Sequence, residues 1–410
     1  MNATTRIETD SIGELEVPAA ALYGARTWRA VTAASFSGRT LGGYPRYVRA
    51  LAVVKKAACR ANLRAGVIDE RIAAGIERAC DALIRGEHLE HFPADPLAGG
   101  GGVAINMNAN EVIANLTNEA LGGQRGVYDP VEPKRHVNAS QSTADACATA
   151  GRLAVLEEWE DVRDTLPLLG EALGEKAAEL MPVRTVARTC LRDAGTVALG
   201  SLFEGYRALA ERRTLELARA ADTLRYVSLG GTVIGSGEGA PTAYRECVVA
   251  ELSAAAGREM RRRESLFDAA QNIDDLAAFS AQLALLADGL AKIAQDLRLL
   301  ASGPEAGFGE IRLPMQMEGS SFFPHKANPV VPESVLNGCF QVLACDRAVQ
   351  LAYGRGELNL NVFEPVAVFN LLDAALLTAR VLRLLAGLTR DIRADEQRCA
   401  ELVERSRRRS

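Results

Sequence analysis

Eight large apolar residues, Leu276, Phe279, Leu283, Leu286, Leu290, Ile293, Leu297 and Leu300, follow one another at spacings of 3, 4, 3, 4, 3, 4 and 3. A seam repeating every 3.5 residues over more than three heptads specifies a long helix packed in a bundle. Ser302-Gly303-Pro304 follows, and a glycine and a proline together stop a helix sharply. So long a stripe is expected to be too large for one subunit to cover, which links folding to assembly. The same segment carries Asp288, Lys292, Asp296 and Arg298, which argues against a membrane span of ~20 apolar residues. Similar alanine- and leucine-rich texture fills residues 46–85, 143–180, 194–224 and 332–393, so the expected fold class is all-α in the main. The expected division is a mostly helical N-terminal domain (1–142), a long-helix bundle (143–393) and a short C-terminal tail (394–410).

Bulk properties narrow the function. With 48% hydrophobic and 24% charged residues in 410, the chain can bury a large core and is not disordered. A net charge of −5 carries no basic excess of the kind that coats a nucleic acid. The Arg405-Ser406-Arg407-Arg408-Arg409-Ser410 end reads as a frayed, solvated helix terminus. Eight cysteines without a C-x-x-C pair read as reduced thiols rather than a disulfide or zinc framework. No apolar stretch follows the first charges, so no signal peptide is expected and the compartment implied is the cytoplasm.

Glycine and proline punctuation marks loops at residues 95–102, 122–133, 229–241 and 302–329, where a rigid bundle can position chemistry. The most informative is Gly319-Ser320-Ser321-Phe322-Phe323-Pro324-His325-Lys326-Ala327-Asn328-Pro329. Its backbone N–H groups can form an anion-binding nest, and Lys326 and Asn328 can hold a carboxylate. An ordinary Ser/Gly/Pro linker fits the same spacing. Gly235-Ser236-Gly237-Glu238-Gly239 does not match G-x-G-x-x-G, and no Gly-Lys-Ser/Thr follows the 99–102 glycine run. His88 and His91 lie on a polar stretch and read as solvated surface, and Cys190 reads as a small buried apolar residue. Neither a metal nor a cofactor is called for.

The loop resembles the signature loop of the aspartase/fumarase superfamily, and the match continues into Val330-Val331-Pro332-Glu333, as in the aspartate ammonia-lyase branch. Further matches are Tyr23 to Ala30, Asn106 to Asn115, His136 to Thr143, Gly230 to Gly237, Arg298 to Pro304 and Leu360 to Pro365. The resemblance implies a helical subunit that assembles as a homotetramer around a twenty-helix bundle, with active sites shared between subunits. It implies a small dicarboxylate substrate and β-elimination from a substituted succinate to give fumarate. Ser320 would be the base, and the carbanion, delocalised into an aci-carboxylate, would be met by fixed donors. Lys326 and Asn328 would bind that carboxylate, with Ser142, Thr143, Thr189, Ser321 and Asn106 completing the substrate contacts.

Four positions depart from the family pattern. Val103-Ala104 stand for a Thr-Ser pair, Ala144 for an asparagine and Cys190 for a histidine, which removes hydrogen-bonding groups from the leaving-group side. The small C-terminal domain of many relatives is expected to be missing from this sequence. The leading reading is therefore a carbon–nitrogen lyase most like aspartate ammonia-lyase. A lyase for a nonstandard leaving group, such as nitrosuccinate releasing nitrite, a fumarate hydratase-like carbon–oxygen lyase, and a catalytically silent bundle are the alternatives.

Overall fold

The computed structural model describes residues 5–315, 319–323 and 326–407. Over these it is mainly α-helical, with helices α1 (Ala25–Ala34), α2 (Pro45–Arg64), α3 (Glu70–Ile84), α4 (Val103–Ala120), α5 (Thr143–Leu180), α6 (Gly200–Thr223), α7 (Thr242–Ala256), α8 (Leu266–Gln271), α9 (Asp274–Leu300), α10 (Val330–Tyr353), α11 (Glu364–Asp391) and α12 (Glu396–Arg407). Helix starts follow local chemistry. Pro45 opens α2 where its missing N–H costs nothing, and the Asp69 carboxylate caps α3 by accepting from Ile72 N at 2.9 Å. Strands occur only in two-stranded sheets among the described residues: β1 (Thr5–Thr9) with β2 (Glu14–Pro18), β3 (Arg184–Thr189) with β4 (Arg192–Ala198), β5 (Tyr226–Val227) with β6 (Arg261–Arg262), and β7 (Ile311–Arg312) with β8 (Arg393–Ala394).

The chain forms two compact units. The first comprises Met1–Glu157, Ala221–Ala277 and Ala348–Leu372. Within it α2 packs on α3 and α7, and α4 packs on α1 and α3. Gly75 lets α3 approach α4 closely, since a Cβ there would lie 2.5 Å from Thr117 Cγ2. The buried Glu111 carboxylate accepts from Gly24 N (2.8 Å), Thr27 N (3.1 Å) and Thr27 Oγ1 (2.6 Å), which holds the start of α1 against α4. Arg152 is buried between Asp275 (2.6 Å) and Glu364 (2.5 Å).

The second unit comprises Glu158–Ala220, Ala278–Arg347 and Asp373–Ser410. Here α9 meets α6 where Gly289 faces Leu209, and α10 meets α11 where Gly338 faces Val381. Ser280 Oγ bonds Asp346 at 2.7 Å, and Trp159 stands edge-on to Phe279. The seam residues are covered inside the chain itself, none more than 8% exposed. The expectation that a partner must cover the stripe is therefore corrected, because neighbouring helices of the same chain already do so. By length and composition α9 is able to cross a bilayer, yet half of its most apolar stretch is buried, as in a core helix.

Two local expectations also change. Residues 194–198 belong to β4 rather than to the helix that follows. Cys190 is exposed, not buried, because it and Leu191 form the two-residue turn of the β3–β4 hairpin, both in the left-handed region (φ 51° and 58°).

Candidate active site

Three of the expected site residues gather in the first unit. Asn106 lies in the first turn of α4, Thr143 opens α5 and Ser142 immediately precedes it. Gly102, at φ 89°, turns the chain into α4 beside Thr143 and Cys147. Asn106 Nδ2 donates to Thr143 Oγ1 at 2.9 Å and to Asn138 Oδ1 at 3.0 Å. Asn138 Oδ1 also accepts from Asn110 Nδ2 (3.2 Å) and from Lys55 Nζ (2.9 Å), and Lys55 donates again to Gln141 Oε1 (3.1 Å). Lys55 is fully buried, and desolvation pushes its pKa down to about 8 against the opposing pull of Cys147, Asp145 and Cys80.

Asp145 anchors the other side. Its carboxylate accepts from Ser142 N (2.8 Å), Gly230 N (3.1 Å) and Thr232 N (3.1 Å), tying the start of α5 to the glycine loop. Burial pushes its pKa up to about 6, while those three N–H groups and Lys55 pull the other way. Ser142 Oγ accepts from Ala144 N at 3.2 Å. Asn106 Oδ1 and Asn110 Oδ1 are buried and have no hydrogen-bond partner among the described residues. Val103 is exposed, and Ala104 and Ala144 are half-buried.

Ser320, Ser321, Lys326 and Asn328 belong to the second unit and share one loop. Only glycine fits at 319, where a Cβ would lie 2.2 Å from Asn328 N, and Asn328 Nδ2 donates to the Gly319 carbonyl. This closes the loop on itself. Ser320 Oγ then accepts from Phe323 N (2.9 Å) and Phe322 N (3.2 Å). Ser321, Lys326 and Asn328 are exposed, as are the Phe322 and Phe323 rings, which meet edge to face at 4.8 Å. Pro324 and His325 of the same motif, and Arg408 to Ser410 of the basic tail, lie outside the described residues. Thr189 is exposed at the end of β3, opposite Arg192 and next to Cys190.

The sequence reading missed Lys55 and Asp145 and gave Asn110, Asn138 and Gln141 no role. The one available signal for Lys55 was a charged residue inside the run Leu51-Ala52-Val53-Val54-Lys55. His88 and His91 are half-buried rather than solvated, and with Glu90 they bring three possible ligand atoms within 4.8 Å of one another. Both His91 nitrogens are engaged, Nδ1 by Leu22 N (3.4 Å) and Nε2 by Glu90 (3.5 Å).

Comparison with known proteins identifies the family. A family model described as Lyase matches residues 13–344. Aspartate ammonia-lyase of Pseudomonas fluorescens is 42% identical, covering 98% of this chain and 85% of its own. The aspartate ammonia-lyase of Escherichia coli K12 is 38% identical, with 99% and 85% covered. Among solved structures, the cobalt-bound fumarate lyase:delta crystallin of Brucella melitensis superposes with a TM-score of 0.95 at 43% identity, covering 97% of this chain and 87% of its own. The class II fumarase of Schistosoma mansoni superposes with the same TM-score of 0.95 at 28% identity, covering 98% and 88%. With the helical fold, the serine loop and these relatives in agreement over nearly its whole length, the chain belongs to the aspartase/fumarase superfamily of lyases.

Proposed function

We propose that the protein is a carbon–nitrogen lyase that eliminates a β-substituent from a succinate scaffold to give fumarate, most like aspartate ammonia-lyase. The observation that carries this is the pair of backbone N–H groups on Ser320 Oγ. A serine hydroxyl is a poor base until its oxyanion is stabilised, and two fixed donors favour the charged form. Ser320 removes the proton beside the substrate carboxylate. Lys326 and Asn328 meet the charge that accumulates on that carboxylate, with Ser142, Thr143, Thr189, Ser321 and Asn106 orienting the substrate. No cofactor takes part in these steps. The working form is a homotetramer in the cytoplasm, with sites shared between subunits. Large apolar side chains left exposed on long helices, Leu168, Leu215, Leu285, Phe340 and Leu384, support assembly.

A second reading concerns the leaving group. Val103, Ala104 and Ala144 offer no side-chain hydrogen bond beside Asn106 and Thr143, and Cys190 takes the place of an imidazole. An anionic leaving group such as nitrite needs no protonation and tolerates that loss. Following fumarate by its ultraviolet absorbance with aspartate, nitrosuccinate and malate tests both readings. Release from aspartate supports the first, and release from nitrosuccinate alone supports the second. Absence of fumarate from all three sinks the proposed reaction.

A further inference from the structure

We propose that Lys55 is a positioning residue that sets the hydrogen-bond polarity of the substrate cluster through Asn138. This rests on the reading of Thr143 and Asn106 as substrate contacts. The argument is one of donors and acceptors. An ammonium group has N–H to give and no lone pair to offer, so any amide facing it must present oxygen. Lys55 Nζ meets Asn138 Oδ1 and Gln141 Oε1 in that way. Gln141 is locked in the same sense from its other end, since its Nε2 donates to the carbonyls of Val137 (3.0 Å) and Ala139 (3.1 Å).

With Asn138 Oδ1 turned toward Lys55, the neighbouring amides must turn their nitrogens toward it, as Asn106 Nδ2 and Asn110 Nδ2 do. The second N–H of Asn106 Nδ2 goes to Thr143 Oγ1. That hydroxyl oxygen is therefore committed as an acceptor, and its own O–H is left to donate away from the cluster, the sense required for a carboxylate. The same chain of constraints leaves Asn106 Oδ1 and Asn110 Oδ1 buried without a donor among the described residues. These two oxygens form the complementary half of the cluster and suit a ligand N–H or O–H. The buried cation thus sets which groups around Thr143 give and which receive. The main chain supports it in the same sense, since Asn138 Nδ2 donates to the Gln141 carbonyl at 3.0 Å.

The test uses succinate, a dicarboxylate with nothing to eliminate, so binding is read by calorimetry apart from turnover. Lys55→Met keeps length and apolar bulk, and Lys55→Gln puts an amide, with an acceptor as well as a donor, in place of the all-donor ammonium. Both are expected to weaken succinate roughly tenfold or more, with kcat/KM falling through KM more than through kcat. Circular dichroism and melting temperature identify the variants that fold, and affinities are compared in those. Unchanged succinate affinity in folded Lys55→Met overturns the proposal. Should Lys55→Met lose its fold, Lys55→Gln decides, and unchanged succinate affinity in folded Lys55→Gln equally overturns it. A parent protein that binds succinate yet forms no fumarate sinks the proposed reaction and leaves the polarity argument standing.

Discussion

Ser320 accepts two main-chain N–H groups, whereas Ala144 has no side-chain polar group to offer. If Ser320 is the base, Ser320→Ala removes the atom that takes the proton while leaving Gly319 and Asn328 to close the loop. Turnover is expected to vanish with circular dichroism and melting temperature unchanged. Activity near that of the parent would eliminate the assignment. At Ala144 and Cys190 the expectation runs the other way. If aspartate is the substrate, the double change Ala144→Asn with Cys190→His should raise kcat/KM on aspartate roughly tenfold or more per restored bond. The same change should leave nitrosuccinate elimination unimproved, and initial rates for both substrates in both proteins separate the cases. Ser320 and Asn328 were singled out because they stand in one contiguous motif that resembles the superfamily's signature loop. Lys55 was not, since its partners Asn138 and Gln141 are 83 and 86 residues away, and a lone lysine in an apolar run looks like a solvated one.

At the scale of elements, the two ends of legibility are α9 and the β3–β4 hairpin. The α9 seam was readable because a 3.5-residue period has one solution, and α5 spans Thr143–Leu180, the range its texture suggested. What the period does not say is who covers the stripe. Leu290 is 1% exposed inside the chain. Leu290→Asp should therefore destabilise the subunit itself, by about 3–5 kcal/mol for an unpaired buried charge. The change should appear as a lower urea midpoint that does not move with protein concentration. A midpoint equal to that of the parent would contradict the packing described. The hairpin escaped notice because its turn is Cys190-Leu191 rather than the Asn-Gly or Asp-Gly that announces two left-handed residues. Leu191, 71% exposed at φ 58°, gives up little packing, so Leu191→Gly is expected to stabilise by about 1 kcal/mol. A lower melting temperature would show that the exposed side chain has a contact of its own.

For the whole molecule, the question is what the uncovered apolar residues are for. Phe340 is 55% exposed and Leu285 49% exposed, on α10 and α9 of the second unit. If assembly covers them, Leu285→Glu with Phe340→Glu should lower the native mass from tetramer to smaller species without unfolding the helices. Retention of the full assembly would place the subunit contacts elsewhere. Composition and texture made the helical class legible. The second unit was not legible as a unit, because it is assembled from three separated stretches of chain, and contiguous boundaries are all that a linear pattern can suggest.

The donors on Ser320 Oγ come from the main chain at residues 322 and 323, not from any side chain. Alanine scanning of this loop is blind to them, because every residue except proline brings the same N–H. If Ser320 is the base, both positions are free to drift in sequence with the oxyanion's support intact, and the identity of their side chains carries no information about base strength. Replacing either amide by an ester linkage, which deletes one donor and keeps the side chain, is the alteration that would expose it.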